Sequence, residues 1–264
     1  MEKQLVLGSL FSGVGGFELG AEMSGITTLW NCEFEEHNRL ILKKNYPDTK
    51  QYHDVRTMAF PEYVDIICGG FPCQDLSIAN VSNKEIWKDG KVEGIKGERS
   101  GLWSEMWRIC GEVRPKYILI ENSPMLLIRG FEQVLCDLSE IGYVCEWECF
   151  YASQFGFNHK RERFFGIAYP GEVRRFNNNA VFRELHEVLP KQTPRQNPLS
   201  MPIKRFNSRS DFESVRMDDG FSKELDKRRI EMMGNAVIPD IAHYLFECIK
   251  IHYNNTKNYK IWQH

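Results

Sequence analysis

The chain has 264 residues, of which 42% are hydrophobic, enough to form one large α/β domain with a small additional module. The net charge of −2 is close to neutral, so overall charge neither indicates nor excludes a nucleic-acid partner, which would meet a local basic patch. No segment reaches the ~20 apolar residues of a membrane-spanning helix, and the first residues lack the pattern of a signal peptide. These features predict a cytoplasmic protein without a membrane partner.

The eight cysteines are predicted to be reduced thiols, because disulfides rarely persist in the cytoplasm. Cys68 and Cys73, or Cys145 and Cys149, are close enough in sequence to be considered as metal-binding pairs. Neither pair has the two-residue spacing of a zinc knuckle, and no Cys/His pair follows at a suitable distance. We therefore expect no metal site, and most of these cysteines are interpreted as core residues.

Short apolar runs alternate with helical patterns along most of the chain. Strands are predicted at Leu5–Phe11, Ile26–Glu33, Val64–Cys68, Tyr117–Ile120 and Phe164–Ala168. Helices are predicted at Phe17–Met23, Glu35–Asn45, Trp103–Val113 and from about Pro239 onwards. Apolar strands that alternate with helices are typical of a mostly parallel sheet covered on both faces. Ligands of such sheets bind at the carboxyl ends of the strands, where we expect the functional site.

Two polar segments interrupt this pattern. Asp75–Gly101 is charged and glycine-rich, and loops of such length in compact domains are often functional lids. Pro170–Gly220 gains Asn, Pro, Ser and Arg and loses apolar periodicity, which indicates a small separate module. The expected organisation is one domain formed by residues 1–169 and 221–264, with the module of residues 170–220 inserted into it.

Three features near the first strands are candidates for binding a nucleoside. The glycines of Ser12–Gly16 would let a ligand approach the backbone at a helix N-terminus, although a tight structural turn would need them equally. Glu33 stands at a strand end, where an acid can hydrogen-bond ribose hydroxyls or simply be solvated. Asp54 is a further candidate, and alone it is a weak one.

Reactive side chains follow the later strands. Cys73 comes after Pro72 in a rigid turn, so it is a candidate nucleophile, with a buried loop cysteine as the alternative. Glu121 ends the next strand and could donate a proton. Arg161 and Arg163 precede the strand at Phe164, where they would direct two guanidinium groups to the same edge or form a surface salt-bridge run.

Taken together and in this order, these motifs resemble the DNA (cytosine-5)-methyltransferases across nearly the whole chain. The small module resembles the one in short members encoded by phages or bacteria. Six segments carry the resemblance: Ser9–Phe17, Gly70–Gln74, Arg99–Trp103, Glu121-Asn122, Gly156–Arg163 and Gly234–Val237.

The resemblance implies an α/β fold of the class I S-adenosylmethionine-dependent methyltransferase type, with the inserted module recognising the target. It also implies S-adenosylmethionine as the cofactor. The residues that would surround this cofactor are Phe11, Ser12, Gly13, Gly15, Gly16, Glu33, Asp54, Leu102, Asn235 and Val237.

The implied reaction is methylation at C5 of a cytosine in double-stranded DNA. Cys73 would add to C6 of the base, Glu121 would hold N3 and the amino group, and Arg163 would contact O2, with Arg161 beside it. The base would have to leave the duplex, because its ring cannot be attacked within the stack. Closure of the loop Asp75–Gly101 would exclude water.

Three positions depart from the family pattern: Asn158 and His159 stand where Pro and Gln are usual, and Ser123 replaces a Val. Two alternatives therefore stay open, which are methylation of cytosine in tRNA and a catalytically silent DNA-binding relative. A cognate restriction enzyme is a further conceivable partner.

Overall fold

The computed structural model describes residues 4–72, 101–157, 159–176, 181–182 and 236–257. The expectations for Cys73, Asn158 and Asn235 lie outside the described residues. So do those for the loop before Gly101 and for most of the 170–220 module.

Seven strands and seven α-helices are found in these described ranges. The strands are β1 (Val6–Leu10), β2 (Thr27–Cys32), β3 (Lys50–Tyr52), β4 (Ile66–Gly69), β5 (Tyr117–Asn122), β6 (Tyr143–Tyr151) and β7 (Glu162–Pro170). The helices are α1 (Gly16–Met23), α2 (Glu36–Asn45), α3 (Leu102–Val113), α4 (Leu126–Arg129), α5 (Phe131–Glu140), α6 (Gly171–Phe176) and α7 (Pro239–Thr256).

The strands form one sheet in the order β3-β2-β1-β4-β5-β7-β6. Strands β1 to β5 are mutually parallel, and β7 runs antiparallel to both β5 and β6. From β1 the chain adds β2 and β3 on one side and then β4 and β5 on the other, so the strand order switches direction between β1 and β4. A crevice is expected at such a point, at the carboxyl ends of the parallel strands. We call this side of the sheet the carboxyl edge. The prediction of a mostly parallel sheet is confirmed.

Two apolar clusters lie on opposite faces of the sheet. Consecutive residues of β5 alternate between them, since Ile118 and Ile120 join one cluster while Tyr117 and Leu119 join the other. The first cluster includes the buried faces of α3 and α5, and the second includes those of α1 and α7. Both faces are therefore covered, as a parallel sheet requires. Within the described ranges, no helix is long and apolar enough to cross a membrane.

The start of the predicted module packs on the sheet. Val173 in α6 and Val181 are fully buried in the second cluster, beside Phe150 of β6. The chain therefore returns to the core after β7, before the rest of the segment. The boundary at residue 170 stays a prediction.

Candidate active site

The loop between β1 and α1, residues 11–16, is here called the glycine loop. Phe11, Gly13 and Gly15 have φ angles of 54°, 57° and 96°, in the left-handed region that glycine tolerates best. The Ser12 amide donates to the Cys32 carbonyl at 3.1 Å, which fixes the loop against the end of β2. A Cβ added to Gly13 would meet no atom of the described residues within 4 Å, so this glycine faces open space among them. The loop thus presents bare backbone at the carboxyl edge.

Gly16 has a different environment. A Cβ at this position would lie 2.3 Å from the Val237 carbonyl oxygen, so only glycine permits the contact. The segment before α7 is thereby placed directly against the first residue of α1. The backbones of Gly16 and Val237 are therefore close together, and their role in binding a cofactor stays a prediction.

Glu33 joins the glycine loop to the end of β2. Its Oε2 accepts a hydrogen bond from the Gly13 amide at 2.7 Å, and its Oε1 accepts one from the Glu35 amide at 2.8 Å. The residue is buried, with 7% of its surface exposed. A carboxylate has about four acceptor positions, so roughly two remain for a ligand. Phe34, which follows it, is 62% exposed.

Asp54 follows β3 and is engaged by a residue that the sequence did not single out. Both carboxylate oxygens accept hydrogen bonds from the Arg56 guanidinium, the shorter at 2.7 Å. Those bonds to Arg56 lower the pKa of Asp54, more than its slight burial raises it. The same guanidinium lies 5.6 Å from the centre of the Phe34 ring. The sequence signal for this ion pair was the spacing of two residues between Asp54 and Arg56.

Glu121 lies at the carboxyl end of β5, beside the turn that leads to Cys73. A Cβ on Gly70 would lie 2.5 Å from Glu121 Oε2, so glycine is needed for the carboxyl group to sit there. The next residue, Asn122, donates from Nδ2 to the Phe71 carbonyl at 3.3 Å. The end of β5 is thus fastened to Phe71, which lies two residues before Cys73 in the chain. Leu102, the first residue of α3, packs on the cluster beneath.

Arg163 is the ion-pair partner of Glu121. Its Nε lies 3.1 Å from Glu121 Oε1, and its Nη1 donates to the Glu162 carbonyl at 2.8 Å. Burial raises the pKa of Glu121, and the positive charges of Arg163 and Arg161 only partly oppose this. The carboxyl group is therefore poised to carry a proton more readily than a solvated one.

Arg161 is held from the opposite side of the site. Its Nη1 donates to the Ala236 carbonyl at 2.7 Å, and this bond was not foreseen. Its Nε and Nη2 are buried and find no hydrogen-bond partner within the described part of the chain. Burial, together with the neighbouring Arg163, lowers the pKa of Arg161 to about 10. Unused donors of this kind are expected where a ligand completes the hydrogen bonding.

Two departures from the family pattern have visible contacts. The Ser123 hydroxyl accepts a hydrogen bond from the Met125 amide at 3.3 Å, just before α4 begins. The exposed His159 accepts from the Arg161 amide at Nδ1 over 3.4 Å. Both therefore make local backbone contacts beside Glu121 and Arg161.

The sequence interpretation also missed Glu18. This acid on α1 is fully buried beneath the glycine loop. The only sequence signal for Glu18 was its position as the third residue of a helix that follows a glycine loop. The described residues contain no group of three or more His, Cys, Asp or Glu that could hold a metal ion.

The chain is similar in sequence to known methyltransferases. A Bacillus subtilis Type II methyltransferase, M2.BsuMI, is 37% identical over 163 residues, which are 59% of this chain and 39% of that protein. A Type II methyltransferase of Paramecium bursaria Chlorella virus IL3A, M.CviJI, is 28% identical over 90% of this chain and 57% of its own length. The chain thus spans less than two thirds of either relative.

A solved structure shows the same fold over a fuller length. The Entamoeba histolytica methyltransferase EhMeth superposes with a TM-score of 0.62 over 96% of this chain and 99% of its own, at 17% identity. This likeness confirms the expected fold. The family model for C-5 cytosine-specific DNA methylases matches residues 5–214, which is most of the chain. The chain therefore belongs to the C-5 cytosine-specific DNA methylase family.

Proposed function

We propose that this protein transfers a methyl group from S-adenosylmethionine to C5 of a flipped-out cytosine in double-stranded DNA, through a covalent bond between Cys73 and C6. The observation that carries the proposal is the position of Glu121. This buried carboxyl group is held by Arg163 beside Gly70, at the start of the turn that contains Cys73. Membership of a DNA methylase family supports DNA as the substrate.

The residues at the carboxyl edge fit the methyl donor. Gly13 leaves open space next to the backbone, and Glu33 keeps acceptor positions for ribose hydroxyls. Phe34 offers an exposed aromatic ring at the same edge, and Asp54 a carboxylate that Arg56 now occupies. When bound, S-adenosylmethionine supplies an electrophilic methyl group on a positively charged sulfur.

The chemistry requires each proposed side chain in turn. Cytosine C5 is a poor nucleophile until the Cys73 thiolate adds to C6 and makes C5 enamine-like. Glu121 donates a hydrogen bond or a proton at N3 as electrons move onto the ring, and its raised pKa suits it for this. C5 would take the methyl group and leave the donor as the neutral thioether S-adenosylhomocysteine. Transfer of the C5 proton to water would then let the C6–sulfur bond break, which releases the Cys73 thiolate and restores the aromatic ring.

The two arginines would stabilise the charge that develops during addition. Arg163 is held by Glu121 near the base that both would contact, which suits it to cytosine O2. Arg161 keeps two unused buried donors in the same region. Donors that are already oriented favour the transition state, since they need no rearrangement when charge appears.

The test is trapping on DNA that contains 5-fluorocytosine, whose fluorine cannot leave C5 as a proton. Bisulfite sequencing of DNA from expressing cells first defines a methylated site, and duplexes with that site then receive the analogue. We expect a denaturant-resistant adduct with wild-type protein and methyl donor, and none with Cys73→Ser. Absence of an adduct on the true site would overturn the mechanism. Methylation of tRNA but not of duplex DNA would overturn the proposal that double-stranded DNA is the substrate.

A further inference from the structure

Glu18 is a buried acid that the proposed chemistry does not use. It is the third residue of α1, and none of its surface is exposed. Neither carboxylate oxygen has a hydrogen bond of acceptable geometry within the described part of the chain. Burying a carboxyl group without partners is costly, so a position that needed only to fill space would favour an apolar side chain.

The surroundings of Glu18 place it under the glycine loop. Its Oε2 lies 3.9 Å from the point where a Gly15 Cβ would be. The hydroxyl groups of Ser9 and Ser12 are near enough to lower its pKa, yet the Ser12 hydroxyl donates to Ser9 Oγ at 3.0 Å. The carboxyl group thus lies between the end of β1 and the loop proposed to hold the methyl donor.

Within the described part of the chain, the titratable groups that interact electrostatically with Glu18 from neighbouring elements bring no positive charge. They are Glu33 at the end of β2, Cys68 in β4 and Tyr46 after α2. Burial raises the pKa of Glu18, and Glu33 raises it further. Helix α1 directs its positive N-terminal end toward the same place, which opposes this in part. Ionised Glu18 therefore lacks a counter-charge that a ligand could supply.

We propose that Glu18 is a positioning residue whose carboxylate, set beneath residues 12–15, provides the counter-charge for the cationic sulfur of the methyl donor. This inference rests on the proposed function. The donor has a positive sulfonium, and the product has a neutral thioether at the same atom. Glu18 therefore adds to the affinity for the donor and contributes little to that for the product. It acts across the loop backbone, because its oxygens are themselves enclosed.

The experiment is calorimetric titration of the purified chain with three ligands. S-adenosylmethionine and sinefungin have a positive charge at the reacting position, and S-adenosylhomocysteine does not. We expect Glu18→Gln to weaken the binding of both cationic ligands about tenfold, because the loss of one partly screened charge pair has an effect of this order. The binding of S-adenosylhomocysteine should weaken by less than about threefold. Glu18→Asp, which keeps the charge, should preserve the wild-type ratio of the affinities.

Glu22→Gln is the matched control, since Glu22 lies one turn later on the same helix and is exposed. It should leave all three affinities unchanged. Equal weakening of all ligands by Glu18→Gln would overturn the inference and assign Glu18 to loop structure alone. Failure of the wild-type protein to bind any of the three would instead overturn the proposed function.

A second measurement needs no variant, in case Glu18→Gln does not fold. Titrations of the wild-type protein in buffers of different ionisation enthalpy report the protons released on binding. A cationic ligand favours the ionised carboxylate, so it should release more protons than S-adenosylhomocysteine. Equal release with cationic and neutral ligands would contradict the inference.

Discussion

Charged groups lie at both ends of strands β4 and β5, but their hydrogen bonding differs between the two ends. At the amino end, Asp65 and Lys116 form a buried ion pair, and Asp65 Oδ2 also accepts from the Val6 amide at 3.2 Å. At the carboxyl end, Arg161 keeps two buried donors without partners in the described ranges, and Glu121 is paired on only one side. The sheet is the same, and unexposed polar atoms occur at both ends, although Arg161 and Arg163 are only partly buried as whole residues.

The difference lies in hydrogen bonding. A buried charge whose partners are all supplied by the chain needs nothing more, and its role is structural. A buried charge with unused donors or acceptors costs stability in the free protein, and a ligand can recover that cost. The comparison predicts that substitutions at the amino end change stability, whereas those at the carboxyl end change binding and catalysis.

The largest expected effect is at the amino end. Lys116→Ala leaves the Asp65 carboxylate buried without its cation and should lower the free energy of unfolding by about 3 kcal/mol. Urea denaturation measures this change. Lys44→Ala, at an exposed position of α2, should change stability by less than about 0.5 kcal/mol. A similarly small effect at Lys116 would remove the basis of the comparison.

At the carboxyl end, Glu121→Gln should lower kcat about 100-fold or more, because it removes a proton donor that acts chiefly in the transition state. Its affinity for S-adenosylmethionine should stay at the wild-type value, as titration calorimetry can show. Should this variant lose cofactor affinity instead, Glu121 would belong to the donor site and the proposed roles would be wrong.

Glu33→Ala should weaken S-adenosylmethionine about tenfold, with a smaller effect on kcat, since a ribose hydrogen bond acts in ground and transition states alike. Methylthioadenosine shares the ribose but lacks the amino-acid part, so its affinity should fall by a similar factor. If only the larger ligand were affected, Glu33 would act on the amino-acid part of the donor.

The smallest expected effect is a pH dependence of stability. The folded-state pKa of Glu18 is raised by burial, so the native state binds this proton more tightly than the unfolded chain. Its contribution to stability is fully present below the unfolded pKa of about 4.5 and is lost as pH rises through the folded pKa. Wild-type protein should therefore lose more stability between pH 5 and pH 8 than Glu18→Gln.

Thermal denaturation of both proteins across that range measures this difference. His252, whose pKa burial lowers to about 4, gives an opposite trend, but it is present in both proteins and cancels. If the stability of the two proteins changed with pH in parallel, Glu18 would have the same protonation in the folded and unfolded states.

Much of the sheet could be predicted, because buried parallel strands are continuous apolar runs. Strands β1, β2, β4 and β5 were found within about two residues of their ends. Strand β6 was missed because Glu146 and Glu148 interrupt its apolar residues at the edge of the sheet, and the three-residue β3 is too short for any periodic signal. Glu33 and Glu121 could be placed at strand ends because each follows the apolar run by which its strand was recognised.

The remaining site contacts depend on packing between distant segments. The bond from Arg161 to the Ala236 carbonyl joins residues that lie 75 positions apart, and no local pattern encodes it. Helix α7 packs against α1 although the two helices lie at opposite ends of the chain. Such contacts cannot be read from the spacing of residue types.

The bond between Arg161 and Ala236 also bears on how the family varies. It joins chain positions on either side of residues 170–220, the proposed module, as does the contact of Val237 with Gly16. Lengthening a closed loop costs little, about 0.6 kcal/mol for each doubling of a flexible segment. Insertions between these two anchors can therefore grow, shrink or be exchanged while the catalytic groups keep their positions. Under the proposed function, chains with segments of different length between these anchors would share one reaction centre and differ in the DNA they read.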